Sequence, residues 1–142
     1  MYKNILLPLD LNHESSWQKA LPVALELCGS FGAKLHVMTV VPNFGSSYVA
    51  GFSPADFERK ALDQAQAALA KLVEGNVPDG VEVQQIVANG TVYEEVLSKA
   101  GEIGADLIVM ASHRPELQDY LLGPNAARVV RHAEVSVMVV RD

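Results

Sequence analysis

Short apolar runs alternate with longer amphipathic stretches along the chain. Asn4 to Leu9, Lys34 to Val41, Val81 to Val87, Asp106 to Ala111 and Val135 to Val140 read as strands. Near-continuous runs such as Ile5-Leu6-Leu7 mark strands buried on both faces, as in a parallel sheet covered by helices. Val81 to Val87 instead alternates apolar with polar residues, which predicts a strand nearer the sheet edge.

The stretches between the strands carry helix signals. The first predicted helix runs from about His13 to Leu27, capped by Asn12 and closed near Gly29. Pro22 falls inside it and removes the amide that would bond to Gln18, so a bend is expected there. Ser53-Pro54 opens a second helix, which continues through alanine-rich sequence to Val73. Thr91-Val92-Tyr93-Glu94 has the form of a capping box and opens a third, ending near Gly101. Gly123-Pro124-Asn125 opens a fourth, ending near His132. The links are short except from Pro42 to Gly51, a stretch of Gly, Ser and aromatic residues that reads as a lid.

Composition narrows the class. A chain of 142 residues makes a single domain over 1–142, large enough to bury about 70% of its unfolded surface without staples. The net charge of −6 argues against nucleic acid and anionic membranes as partners, and no apolar run is long enough to span a bilayer. The single cysteine, Cys28, has no internal disulfide partner, and the N-terminus has no export signal; both point to the cytoplasm.

Right-handed crossovers bring every loop that follows a strand to one edge of a parallel sheet. Three such loops matter: Asp10 after the first strand, Val40-Val41-Pro42 at the end of the second, and Ala111 to Arg114 after the fourth. If the sheet reverses direction between the first and fourth strands, these loops line one crevice. A carboxylate there suits a ribose hydroxyl or a phosphate-bound metal, and valine backbone and side chains suit an adenine ring. The amides of Asn125 and Ala126 at a helix start suit phosphate, Gly123 permits close approach, and Arg114 offers a fork of donors. Pro124 lacks an N–H. The chain contains no G-x-x-x-x-G-K-[ST], and the first strand-to-helix turn has no glycine, which argues against a dinucleotide enzyme. His13, His36 and His132 are scattered, and no serine lies in a nucleophile motif.

The opening Ile-Leu-Leu-Pro-Leu-Asp resembles the first strand of universal stress proteins with its P-x-D ending. Ala-Ser-His-Arg-Pro, Tyr-Leu-Leu-Gly and Val-Val-Arg-His-Ala-Glu, in the tail from Ile108 to Arg141, resemble the F-type branch of that family. The family's usual phosphate motif is G-x-x-G, nine residues, then G-[S/T]. Here Ala111 and Arg114 replace the first two glycines, the spacer to Gly123 is eight residues, and Pro124 replaces the hydroxyl residue. The F-type branch shares the Ala and Arg substitutions and keeps the serine, so Pro124 departs even from that branch.

The resemblance implies a doubly wound, three-layer α/β sandwich with a five-stranded parallel sheet in the order 3-2-1-4-5. It also implies a cytoplasmic stress-response module that binds ATP, alone or with Mg2+, and forms a homodimer through its last strand. The nucleotide contacts carried over are Asp10, Val40, Val41, Met110, Ser112, His113, Arg114, Gly123, Asn125 and Ala126. No catalytic residues and no resident metal are expected. Two other readings stand beside this one. The altered glycine motif favours a nucleotide-free scaffold of the same fold. A slow ATP hydrolase would need a base, for which Asp10 and His113 are the nearby candidates.

Overall fold

The computed structural model describes residues 1–42, 54–112 and 123–141. Five parallel strands, β1 (Asn4–Pro8), β2 (Lys34–Val41), β3 (Val83–Asn89), β4 (Leu107–Ala111) and β5 (Ser136–Val140), form one sheet in the order β3-β2-β1-β4-β5. Helices α1 (Ala20–Phe31), α2 (Pro54–Asn76), α3 (Val92–Ile103) and α4 (Pro124–His132) alternate with them.

The alternation of side chains along each strand divides the core into two layers. Ile5, Leu7, Leu35, Val37, Leu107 and Val109 lie on one face under Leu21, Ala24 and Cys28 of α1 and Leu69 and Val73 of α2. Leu6, Met38, Ile108 and Met110 lie on the other, under Val96 and Ala100 of α3 and Ala126 and Val129 of α4. Ile5, Leu6 and Leu7 are all fully buried, which requires apolar residues at successive positions. Burying each such side chain contributes about 1.5–3 kcal/mol. β3 is an edge strand and keeps polar Gln84 and Gln85 exposed, as its alternating sequence predicts. It begins two residues later than expected, because Val83 is the first residue in register with β2, opposite Leu35.

The start of α1 differs from the sequence expectation. Residues after Asp10 form a 3-10 turn, Glu14–Ser16, and the α-helix begins only at Ala20. Pro22 therefore falls in the first helical turn, not the helix interior, between Leu21 and Val23, whose amides bond to the carbonyls of Trp17 and Lys19. Asn12 caps no helix; its N–H donates to Asp10 Oδ1 at 2.9 Å. The ends of α1 and α3 also shift, from Gly29 and Gly101 to Gly32 and Gly104. These two glycines have φ of 66° and 68°, the left-handed conformation that closes a helix. The amides of Ala33 and Ala105 then return to the carbonyls of Cys28 and Ala100.

α3 starts after Thr91 as expected, but without a side-chain cap bond. Glu94 lies instead beside the Tyr93 hydroxyl, at 3.3 Å. The Ser53 cap of α2 lies outside the described residues, as does the expected lid beyond Pro42.

Candidate functional site

β1 lies between β2 and β4, and the chain leaves it towards β2 on one side and reaches β4 from the other. This reversal splays the connections apart at the C-terminal edge of the sheet, where doubly wound folds bind ligands. A cleft of about 530 Å³ opens there. One wall is the segment after β1, with Asp10, Asn12, His13 and Ser16. Ser112 and the start of α4, Gly123 to Ala126, form the opposite wall. Val40, Val92 and Met110 line it with apolar surface.

The β1 wall is tightly ordered. Asp10 accepts the Asn12 N–H at one carboxylate oxygen, and its other oxygen lies 2.9 Å from His13 Nδ1. The Asp10 N–H donates to Ser16 Oγ at 2.8 Å. The Ser16 hydroxyl in turn lies 2.7 Å from the His13 carbonyl and 2.9 Å from that of Asp10. These bonds fold residues 10–16 into a closed turn with the carboxylate fixed in orientation. Each carboxylate oxygen retains acceptor capacity for a ligand hydroxyl.

On the opposite wall, Gly123 is the N-cap of α4 in extended conformation and Pro124 occupies the first helical position. The first backbone bond of the helix runs from the Ala127 N–H to the Gly123 carbonyl. The amides of Asn125 and Ala126 precede that bond and point out of the helix start, where the macrodipole is positive. No Lys or Arg lies among the described residues lining the cleft, so the helix start is its electropositive feature.

Asp10, Val40, Met110, Ser112, Gly123, Asn125 and Ala126 are thus brought to one cleft. Val41 is not. Its side chain is buried and its carbonyl accepts the Gly90 N–H at 2.9 Å, which leaves Val40 as the β2 residue facing the cleft. Successive strand residues face opposite sides, so one of the two valines had to be excluded. Ser112 offers its hydroxyl, because its N–H is bonded to the Val140 carbonyl. His113 and Arg114 lie outside the described residues. Asn12, His13 and Ser16 also line the cleft, because the helix expected from about His13 begins only at Ala20. The Asp-x-Asn spacing, which favours an Asx turn, was the available signal.

A second cavity of about 470 Å³ opens at the other edge of the sheet, between the C-terminal ends of α3 and α4. Its lining is mainly small and apolar, including Ala100, Gly101, Ala105 and Val135, with His132 and Glu134 also present.

A universal stress protein family model matches residues 1–141. Universal stress protein G of Escherichia coli O157:H7 is 35% identical over 144 residues, covering 99% of this chain and 100% of that protein. Among solved structures, a universal stress protein in complex with cAMP superposes with a TM-score of 0.65 at 23% identity, covering 99% of this chain and 97% of that one. The universal stress protein from Archaeoglobus fulgidus in complex with dAMP superposes with a TM-score of 0.70 at 18% identity, covering 97% of both chains. With the same sheet order, an intact P-x-D ending to β1 and a full-length match, the chain belongs to the universal stress protein family.

Proposed function

We infer that this chain is an adenine-nucleotide-binding module of the stress response, with ATP as its ligand, acting in the cytoplasm as a homodimer. The observation that carries the reading is the cleft itself. It joins a fixed carboxylate, an apolar strip suited to a purine and two outward amides at a helix start. In this arrangement the Asp10 carboxylate accepts ribose hydroxyls and Val40 and Met110 pack on the adenine. Asn125 and Ala126 donate to phosphate, with the Ser112 hydroxyl beside them. Relatives solved with cAMP and dAMP support adenine as the base.

Among the described residues, no group of three or more His, Cys, Asp or Glu is placed to hold a metal ion. A divalent ion would therefore arrive with the phosphates, with Asp10 as the carboxylate available to it. No helix among the described residues is long and apolar enough to cross a membrane. The dimer reading rests on β5, which among the described residues pairs with β4 alone and lies at the edge of the sheet.

The test is to denature the purified protein, analyse the supernatant for adenine nucleotide, and titrate stripped protein with ATP. Stoichiometric release, or micromolar binding weakened about 10- to 100-fold in Asp10→Ala, is expected, since a hydrogen bond to a charged group contributes about 1.5–3 kcal/mol. No release and no binding up to millimolar ATP would favour the nucleotide-free scaffold, in line with the amide that Pro124 removes from the α4 start.

A further inference from the structure

Asp10 is held by two bonds, and only one of them is needed to make its turn. Its Oδ1 accepts the Asn12 N–H at 2.9 Å, which by itself closes the Asx turn. That bond fixes one carboxylate oxygen and leaves the other free to pivot about it. The second oxygen, Oδ2, lies 2.9 Å from His13 Nδ1. A carboxylate accepts and does not donate, so Nδ1 carries the proton and donates it to Asp10.

The backbone that carries the ring is built without it. The His13 N–H donates to the Asp10 carbonyl at 3.1 Å, and the His13 carbonyl accepts the Ser16 N–H at 3.0 Å. The Ser16 hydroxyl bonds the same carbonyl at 2.7 Å, and Ser16 Oγ accepts the Asp10 N–H at 2.8 Å. None of these bonds uses the imidazole. The two side chains are 69% and 54% exposed, so their pairing adds little to folding stability. What the pairing sets is the orientation of the Asp10 carboxylate, and both residues line the cleft.

Resting on the nucleotide-binding reading above, we propose that His13 is a positioning residue of the ribose subsite. It holds Oδ2 while the Asn12 amide holds Oδ1, so that Asp10 presents both oxygens together to the two hydroxyls of a ribose. Each oxygen has spent one acceptor site on the turn and keeps another for a hydroxyl. A carboxylate already immobilised loses no rotational freedom when it accepts the pair, which strengthens binding of a ligand that carries the intact diol. A sugar without the hydroxyls gains nothing from a fixed carboxylate. His13 thereby sharpens selection for ribose. A ring that packed on the base, or acted on the phosphates as a distant charge, would instead affect ligands with and without the diol alike.

The experiment compares ATP with dideoxy-ATP, which lacks both ribose hydroxyls. Calorimetry gives the Kd of each for the nucleotide-stripped wild type, His13→Ala and His13→Asn, with urea unfolding alongside. Asn keeps an N–H donor near the position of Nδ1. His13→Ala should weaken ATP about three- to tenfold, the range for ordering one side chain on binding, and leave dideoxy-ATP unchanged. His13→Asn should restore the wild-type preference for ATP, and the urea midpoint should not move in either variant. Comparing two ligands within one variant keeps the test decisive even if that variant is less stable. Unchanged ATP binding in His13→Ala, an equal loss for both ligands, or no recovery in His13→Asn overturns the proposal and leaves nucleotide binding intact. A wild type that binds the two ligands equally removes the ribose role of Asp10 and the proposal with it. A wild type that binds neither overturns the binding reading as well.

Discussion

His36 carries the main buried titratable load in the sheet. It is almost fully buried on β2, with Nδ1 2.6 Å from Gln84 Oε1 and Nε2 3.0 Å from Asn4 Oδ1. Desolvation lowers its pKa below the ordinary 6.5; the bond to Gln84 opposes this, Lys34 adds to it and Glu82 opposes it. A neutral imidazole donates through one nitrogen and accepts through the other, so one of the two amides faces it through its NH2. Between the folded value and about 6.5 the unfolded chain holds a proton that the native chain does not, so stability rises with pH across that window. The contribution is complete above 6.5 and is lost as the pH falls through the folded value. Urea unfolding at pH 7.5 and at pH 5 should show an acid loss that shrinks in His36→Gln. An equal loss in both proteins would contradict this role. Asp10, by contrast, is exposed, and its importance lies in what its fixed oxygens present to the cleft.

At the scale of the element, β5 is the strand on which the proposed dimer depends. Met138 pairs with Val109 in register and shares the face that carries α1 and α2, yet it remains 37% exposed. An apolar residue on an open edge strand invites pairing with another copy, and a charge there blocks it. The protein should sediment as a dimer at micromolar concentration and Met138→Lys as a monomer with unchanged circular dichroism. A monomeric wild type, or a dimeric variant, would set the β5 interface aside.

The strands were legible because burial on both faces demands continuous apolar runs, as in Ile5 to Leu7 and Leu107 to Met110. β3 was legible as an edge strand for the complementary reason, its exposed glutamines. Helix ends were less so. Gly29 and Gly32 both look like stop signals, and only the backbone conformation selects Gly32. The turn after β1 was illegible for a similar reason: local bonds among Asp10, Asn12, His13 and Ser16 compete with helix formation. That misreading hid His13 from the site while leaving Asp10 in it.

For the whole molecule, the consequence of the topology is that the two cavities lie at opposite edges of the sheet. The polar cleft, with Asp10, Ser112 and the α4 start, lies where β1 and β4 end. The other cavity lies at the far ends of α3 and α4, away from the positive end of the α4 dipole. The central claim is therefore positional: adenine nucleotide occupies the first and not the second. Amide hydrogen exchange with and without saturating ATP tests it most directly. Protection should rise at Asn125, Ala126 and residues 10–16 and stay unchanged at Gly101 to Ala105. Protection confined to Gly101–Ala105, or none anywhere at saturating nucleotide, would contradict it.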